Sequence, residues 1–154
     1  MKARESVIKA YHGTLNEFDR FDLSFSTDIG HHFGSPAQAR ARLSRIDDGS
    51  GWIILECLIN LQKPITGLID IDDWADHQAL AWSILQTQKD PQLLEIGRQY
   101  RHEPYRFLGE QPIAEMKEKI QALGYDGIVY SNDGEGGRES YMVFEDKQIE
   151  IVRR

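Results

Sequence analysis

Two kinds of apolar pattern alternate along the chain: short runs rich in β-branched and aromatic residues, and longer stretches with apolar positions every three or four residues. Val7 to Tyr11 is of the first kind and predicts a strand ending at His12-Gly13-Thr14. The stretch from Phe18 to Asp22 mixes aromatic anchors with charges and reads as a turn-rich connection. Ser26 to Gly34 is glycine-punctuated loop, with a short strand around His32 and Phe33. A helix should follow, because Ser35 is a good N-cap, Pro36 suits the first helical position and Gln38 stands where a capping box needs it. That helix is expected to run through about Ser44 and to stop near Asp47 to Gly51.

Trp52 to Leu61 is largely apolar and β-rich and predicts a buried strand, ended at Pro64. Asp70 to Asp73 offers N-caps for a helix carrying Trp74, Ala81, Trp82 and Leu85, and Asp90-Pro91 starts another with Leu93, Leu94 and Ile96 as its stripe. Residues 102–111 look irregular. Pro112 then opens a periodic helix whose Ile113, Met116, Ile120 and Leu123 share one face, with Gly124 as its stop. Strands at Ile128 to Tyr130, Tyr141 to Phe144 and about Gln148 to Val152 complete an α+β order rather than an alternating βαβ one.

Composition narrows the class. At 154 residues, 40% hydrophobic and 28% charged, the chain has the make-up of one globular domain over 1–154, with a helical insert at about 70–110. A net charge of −7 argues against general affinity for nucleic-acid backbone, although Arg40, Arg42 and Arg45 cluster mildly. The single Cys57 lies in an apolar run and reads as a small buried hydrophobe. A polar start and the lack of any run of membrane-spanning length predict a cytoplasmic protein without membrane association.

The last sixth of the chain carries the densest chemistry. Between its two β-rich runs lies a connection with Gly134, Gly136 and Gly137, into which Asp133, Glu135 and Glu139 are set. Carboxylates on such a loop form either a solvated turn or a site. Other chemistries find no support. His31 and His32 are adjacent, so on a strand their side chains diverge and no metal is expected there. There is no P-loop and no Gly-x-Ser-x-Gly elbow, and the glycines at 134–137 join two strands, where a dinucleotide fingerprint would need a helix N-terminus.

Three separated segments match as a set. Tyr11-His12-Gly13-Thr14, then Gly30-His31-His32-Phe33-Gly34-Ser35 with Ala37 and Gln38, then Gly124 to Ile149 resemble the ADP-ribosyltransferase superfamily. The likeness is nearest to the branch found in phage and mobile-element polyvalent proteins, and more distant to poly(ADP-ribose) polymerases. It implies a split two-sheet β core with peripheral helices, clasping NAD as substrate in a cleft between the sheets. It also implies that His12 hydrogen-bonds a ribose hydroxyl and that the backbone at Gly13 approaches the nicotinamide amide. Thr14 is part of the same motif, or a plain turn hydroxyl. His32 occupies the position of the polymerases' stacking tyrosine, with Phe33 beside it, and Tyr130 or Tyr141 would form the other wall. Tyr11, Gly34, Ala37 and Asn132 are implied as further cofactor-binding residues.

The implied reaction breaks the nicotinamide–ribose bond through an oxocarbenium-like state, which an ionised carboxylate beside the ribose stabilises. Polymerases place that glutamate immediately before the tyrosine of the last motif, where this chain has Ser140. Glu135 is therefore the first candidate for the acid, Glu139 the second and Asp133 the third. Glu139 is one residue out of register and needs a bulge to turn inward. The implied activity is mono-ADP-ribosylation of a host macromolecule, protein rather than nucleic acid given the acidic charge, in a toxin or effector role. Alternatives are an inactive relative that binds a nucleotide or partner, and an NAD glycohydrolase. The insert is either a target-recognition surface or plain packing of Trp74 and Trp82.

Overall fold

The computed structural model describes residues 7–14, 29–44, 53–71, 73–109, 111–132 and 138–153. The elements are β1 (Val7–Thr14), β2 (His31–Phe33), α1 (Pro36–Ser44), β3 (Ile53–Asn60), β4 (Pro64–Ile69), α2 (His77–Thr87), α3 (Pro91–Arg101), α4 (Pro112–Ala122), β5 (Gly127–Asn132), β6 (Arg138–Val143) and β7 (Ile149–Arg153). They form an α+β fold with two sheets, one in the order β1-β3-β7 and the other β2-β6-β5-β4. All strand pairs are antiparallel except β4 with β5, which are parallel. One bridge ties the sheets together: Tyr11 N donates to Gly34 O at 2.8 Å and Gly34 N to Tyr11 O at 2.9 Å.

The four-stranded sheet is buried on both faces, which explains why Ile128-Val129-Tyr130 is apolar without alternation. Ile128, Tyr130 and Met142 face α2, α3 and α4 and pack with Leu80, Ile84, Leu93, Met116 and Ile120. Val129 and Val143 face the other sheet and pack with Ala10, Phe33, Leu55, Cys57 and Ile59. Burial pushes the Cys57 thiol up to about 12, so it stays protonated and inert.

Several expected boundaries move. Pro64 opens β4 rather than ending β3; it is the first residue of an edge strand, where its missing N–H costs no ladder bond. Helix α2 begins at His77, not near Asp70 to Asp73, because the Asp76 carboxylate accepts from Gln78 N and Ala79 N. Asp73 instead closes a turn by accepting from Ala75 N at 2.9 Å, so Trp74 sits before the helix. Trp82 lies on α2 but is 37% exposed, so of these two tryptophans Trp74 alone packs fully inside. Strand β1 runs on through the His12-Gly13-Thr14 segment. The segment 18–22 lies outside the described residues.

The other helix starts stand as expected. Ser35 N donates to Gln38 Oε1 at 2.8 Å and Gln38 N to Ser35 Oγ at 3.1 Å, a reciprocal capping box. Pro91 and Pro112 occupy the first turns of α3 and α4, and Gly124 takes φ +98° just after α4.

Much of the last motif is structural. The Asp126 carboxylate accepts from Gln62 N at 2.7 Å and Lys63 N at 3.0 Å, fixing the β3–β4 turn against the start of β5. Gln148 Nε2 donates to Asn60 O at 2.8 Å and Asp126 O at 2.9 Å, while its Oε1 accepts from Glu145 N at 2.8 Å. Replacing it would strand those backbone groups. Gln148→Ala should therefore lower stability by about 2–3 kcal/mol, read as a shift in the urea midpoint.

Candidate active site

The bridge between the sheets places residues from five elements around one cleft. Tyr11, His12 and Gly13 come from β1, His32 and Phe33 with Gly34 from β2, Gln38 and Ala39 from α1, Tyr130 from β5 and Ser140 from β6. The cleft is narrow, with a free volume of about 10 Å³, enough for roughly one water.

Hydrogen bonds fix its imidazoles. His12 Nδ1 lies 2.7 Å from His32 O, and a carbonyl only accepts, so Nδ1 carries the proton. His32 Nδ1 lies 3.0 Å from the Tyr130 hydroxyl, their rings edge-on at 89°. Phe33 stands 5.5 Å from His12, centroid to centroid. Gly34 must be small: a Cβ there would stand 2.2 Å from Gln38 Oε1, the oxygen committed to the capping box.

His31 points the other way, as adjacent strand residues must. Its Nε2 lies 2.8 Å from Asp146 Oδ1. Burial holds this imidazole below its ordinary 6.5, against the opposing pull of Asp146. The folded chain then binds fewer protons here than the unfolded one, so this stability is present in full above about pH 6.5 and declines as pH falls below it. The melting temperature of the wild type should drop from pH 7 to pH 5.5 more steeply than that of His31→Gln.

A second, broader depression of about 610 Å³ adjoins the cleft and shares Tyr11, Gly34 and Gln38 with it; among the described residues Lys9, Ser35, Pro36, Glu139 and Tyr141 also line it. Pairing of β5 with β6 is regular from Gly127 opposite Val143 to Asn132 opposite Arg138. No bulge reverses the alternation, so Ser140 faces the cleft, 2% exposed, while Glu139 and Tyr141 lie on the other face.

Of the residues singled out in the sequence, Tyr11, His12, Gly13, His32, Phe33, Gly34 and Tyr130 thus meet at the cleft. Glu139 and Tyr141 reach only the neighbouring depression, and Ala37 is exposed and lines neither. Thr14 and Asn132 end their strands, with side chains outside the described residues, as are Asp133 and Glu135 altogether. The lining adds Ser140, Gln38 and Ala39. Ser140 enters through the parity of β6, which packing sets, and Gln38 through the place of the α1 cap beside the cleft. Among the described residues no carboxylate lines the cleft, and no three His, Cys, Asp or Glu side chains are grouped to hold a metal ion. None of the helices described is long and apolar enough to cross a membrane.

No curated protein matches the chain significantly. A solved structure described as "Crystal structure of an anti-CRISPR protein" aligns over 95% of this chain and 96% of its own, at 11% identity and a TM-score of 0.44, a likeness too weak to bear on fold or function. The model of one family, ADP-ribosyltransferase in polyvalent proteins, matches residues 6–153, and the chain belongs to that family.

Proposed function

We propose that the chain works as a single-domain mono-ADP-ribosyltransferase, taking NAD into the cleft and passing ADP-ribose to a protein. Family membership supports transferase chemistry in general. The observation that carries the finer reading is the convergence of His12, Phe33 and Tyr130, from three separate strands, on one cleft. In this reading His12 Nε2 accepts a hydrogen bond from a ribose hydroxyl, its ring held by the bond to His32 O. The rings of Phe33 and Tyr130 form part of the wall the nicotinamide meets. The bond between nicotinamide and ribose C1′ breaks with its electron pair leaving on the nicotinamide nitrogen. An acceptor nucleophile then bonds to C1′ and gives up its proton. The cleft by itself is small, and the adjoining depression, which shares Tyr11, Gly34 and Gln38, offers room for the rest of the dinucleotide.

The charge at C1′ needs a carboxylate, and Ser140, at the polymerases' glutamate position, cannot supply one. Glu135 remains the first choice, ahead of Glu139, which faces the neighbouring depression. Glu135→Gln should cut nicotinamide release by about 100-fold while leaving NAD affinity nearly unchanged. Full activity in that variant would reject Glu135 as the acid and leave the cleft assignment standing.

The acidic net charge of −7 favours a protein target over nucleic acid. Incubating bacterial lysate with the protein and isotopically labelled NAD, followed by mass spectrometry, tests the whole reading. Labelled protein with release of nicotinamide is expected; release of neither contradicts it. Free ADP-ribose without labelled protein would indicate water as the acceptor. Ser140 at the polymerases' glutamate position and His32 at that of their stacking tyrosine motivate a second reading, a binding module without turnover. Calorimetry separates the two: tight NAD binding with no nicotinamide released would establish the binder.

A further inference from the structure

The motifs that build the cleft do not include the residue on which two of its walls lean. Trp74 comes from the segment leading into α2, far from all three motifs in sequence. A tight turn holds it: Asp73 Oδ1 accepts from Ala75 N at 2.9 Å, Asp76 N donates to Asp73 O at 3.0 Å, and Asp76 then caps α2. Locked in that turn, the indole is 5% exposed. Its ring centroid lies 4.6 Å from that of Tyr130 at an interplanar angle of 49°, and 6.2 Å from that of His32 at 62°. Tyr130 and His32 are themselves joined at 3.0 Å through the hydroxyl and Nδ1, and His32 O holds the Nδ1 proton of His12. An unbroken series of contacts thus runs from the helical segment to the imidazole proposed to touch the ribose.

We propose that Trp74 is a positioning residue of the NAD cleft, setting the attitude of Tyr130 and His32; this rests on the reading of the cleft as the NAD site. The indole packs against the Tyr130 ring. Without it the ring can tilt back and the 3.0 Å bond to the His32 imidazole lengthens, loosening the side chain of the residue whose carbonyl orients His12. Aromatic pairs at this separation are favourable beyond their buried area, so a smaller ring keeps part of the effect and an aliphatic side chain loses it. The helical layer is then more than a packing surface, because its approach to the sheet sets the geometry of the site.

The test uses the full chain as wild type, Trp74→Phe, Trp74→Leu and, as a control outside the cleft, Trp82→Phe. NAD affinity is measured by calorimetry, indole emission is followed during NAD titration, and each variant is melted. Trp74→Leu should bind NAD about tenfold more weakly at temperatures where it is still folded, and Trp74→Phe within about threefold of wild type. NAD should change indole emission in wild type and in Trp82→Phe, and most of that change should vanish in Trp74→Phe. A Trp74→Leu protein with a lowered melting temperature but unaltered NAD affinity would overturn the proposal and leave Trp74 as ordinary core. If Trp74→Leu does not fold, an undiminished NAD-induced change in Trp74→Phe emission overturns it equally. A wild type that binds no NAD removes the cleft reading and this inference with it, whereas NAD binding untouched by either substitution defeats this inference alone.

Discussion

Substituting His12 by alanine should slow nicotinamide release by about 100-fold, the scale on which one preorganised hydrogen-bonding partner acts at a reacting centre. The protein should nevertheless stay folded. His12 is only partly buried, and the hydrogen bond from Nδ1 to His32 O contributes about 1 kcal/mol. His12→Asn separates its two duties. An asparagine amide can replace the Nδ1 donor toward His32 O but has no acceptor where Nε2 lies. Stability should return toward the wild-type value in His12→Asn while the rate stays low. Single-turnover nicotinamide release alongside urea unfolding measures both. A His12→Asn protein with the wild-type rate would show that the imidazole matters only for its bond to the neighbouring strand.

Gly127→Ala should be the most damaging small substitution in the β5–β6 ladder, costing about 3 kcal/mol in urea unfolding. A Cβ at this position would stand 2.3 Å from Met142 O and 2.3 Å from Leu61 Cδ2. Leu61 can shift, but Met142 O belongs to the backbone of the adjacent strand, where Met142 pairs with Ile128. Moving it loosens the strand that carries Ser140 into the cleft. Gly124 is a useful contrast. It lies at φ +98°, and a Cβ added there would have only the Lys63 side chain within 4 Å. Gly124→Ala therefore suffers backbone strain alone, about 1 kcal/mol. Equal losses at the two positions would contradict this ranking.

What the sequence revealed was mostly local. The capping box of Ser35 and Gln38, the prolines opening α3 and α4 and the glycine after α4 all act within one helical turn, and each stands in the structure. Strand β4 escaped because Pro64-Ile65-Thr66-Gly67-Leu68-Ile69 has no clean alternation, and its partner is far away: Pro64 pairs with Gly127. A register shift between Ile65 and Leu68, with Gly67 at φ +78°, breaks its pattern further. The start of α2 was ambiguous because Asp70, Asp73 and Asp76 can all cap a helix, and the choice turns on where Trp74 packs.

The same division holds at the site. The motifs named residues that do meet, because the Tyr11–Gly34 bridge brings β1 and β2 together. The sequence could not say which parity of β6 faces the cleft. That is decided by Met142 entering the helix-facing core while Val143 enters the core between the sheets, which carries Ser140 inward and turns Glu139 and Tyr141 away. Gln38 was legible as a cap but not as cleft lining, since its second duty depends on the cap lying at the cleft mouth.

A crystal structure of the chain with NAD bound tests the central claim most directly. The nicotinamide and its ribose should lie against His12, Phe33 and Tyr130 together, with His12 Nε2 in hydrogen-bond distance of a ribose hydroxyl. NAD bound elsewhere, or touching residues from only one of the strands β1, β2 and β5, would contradict it.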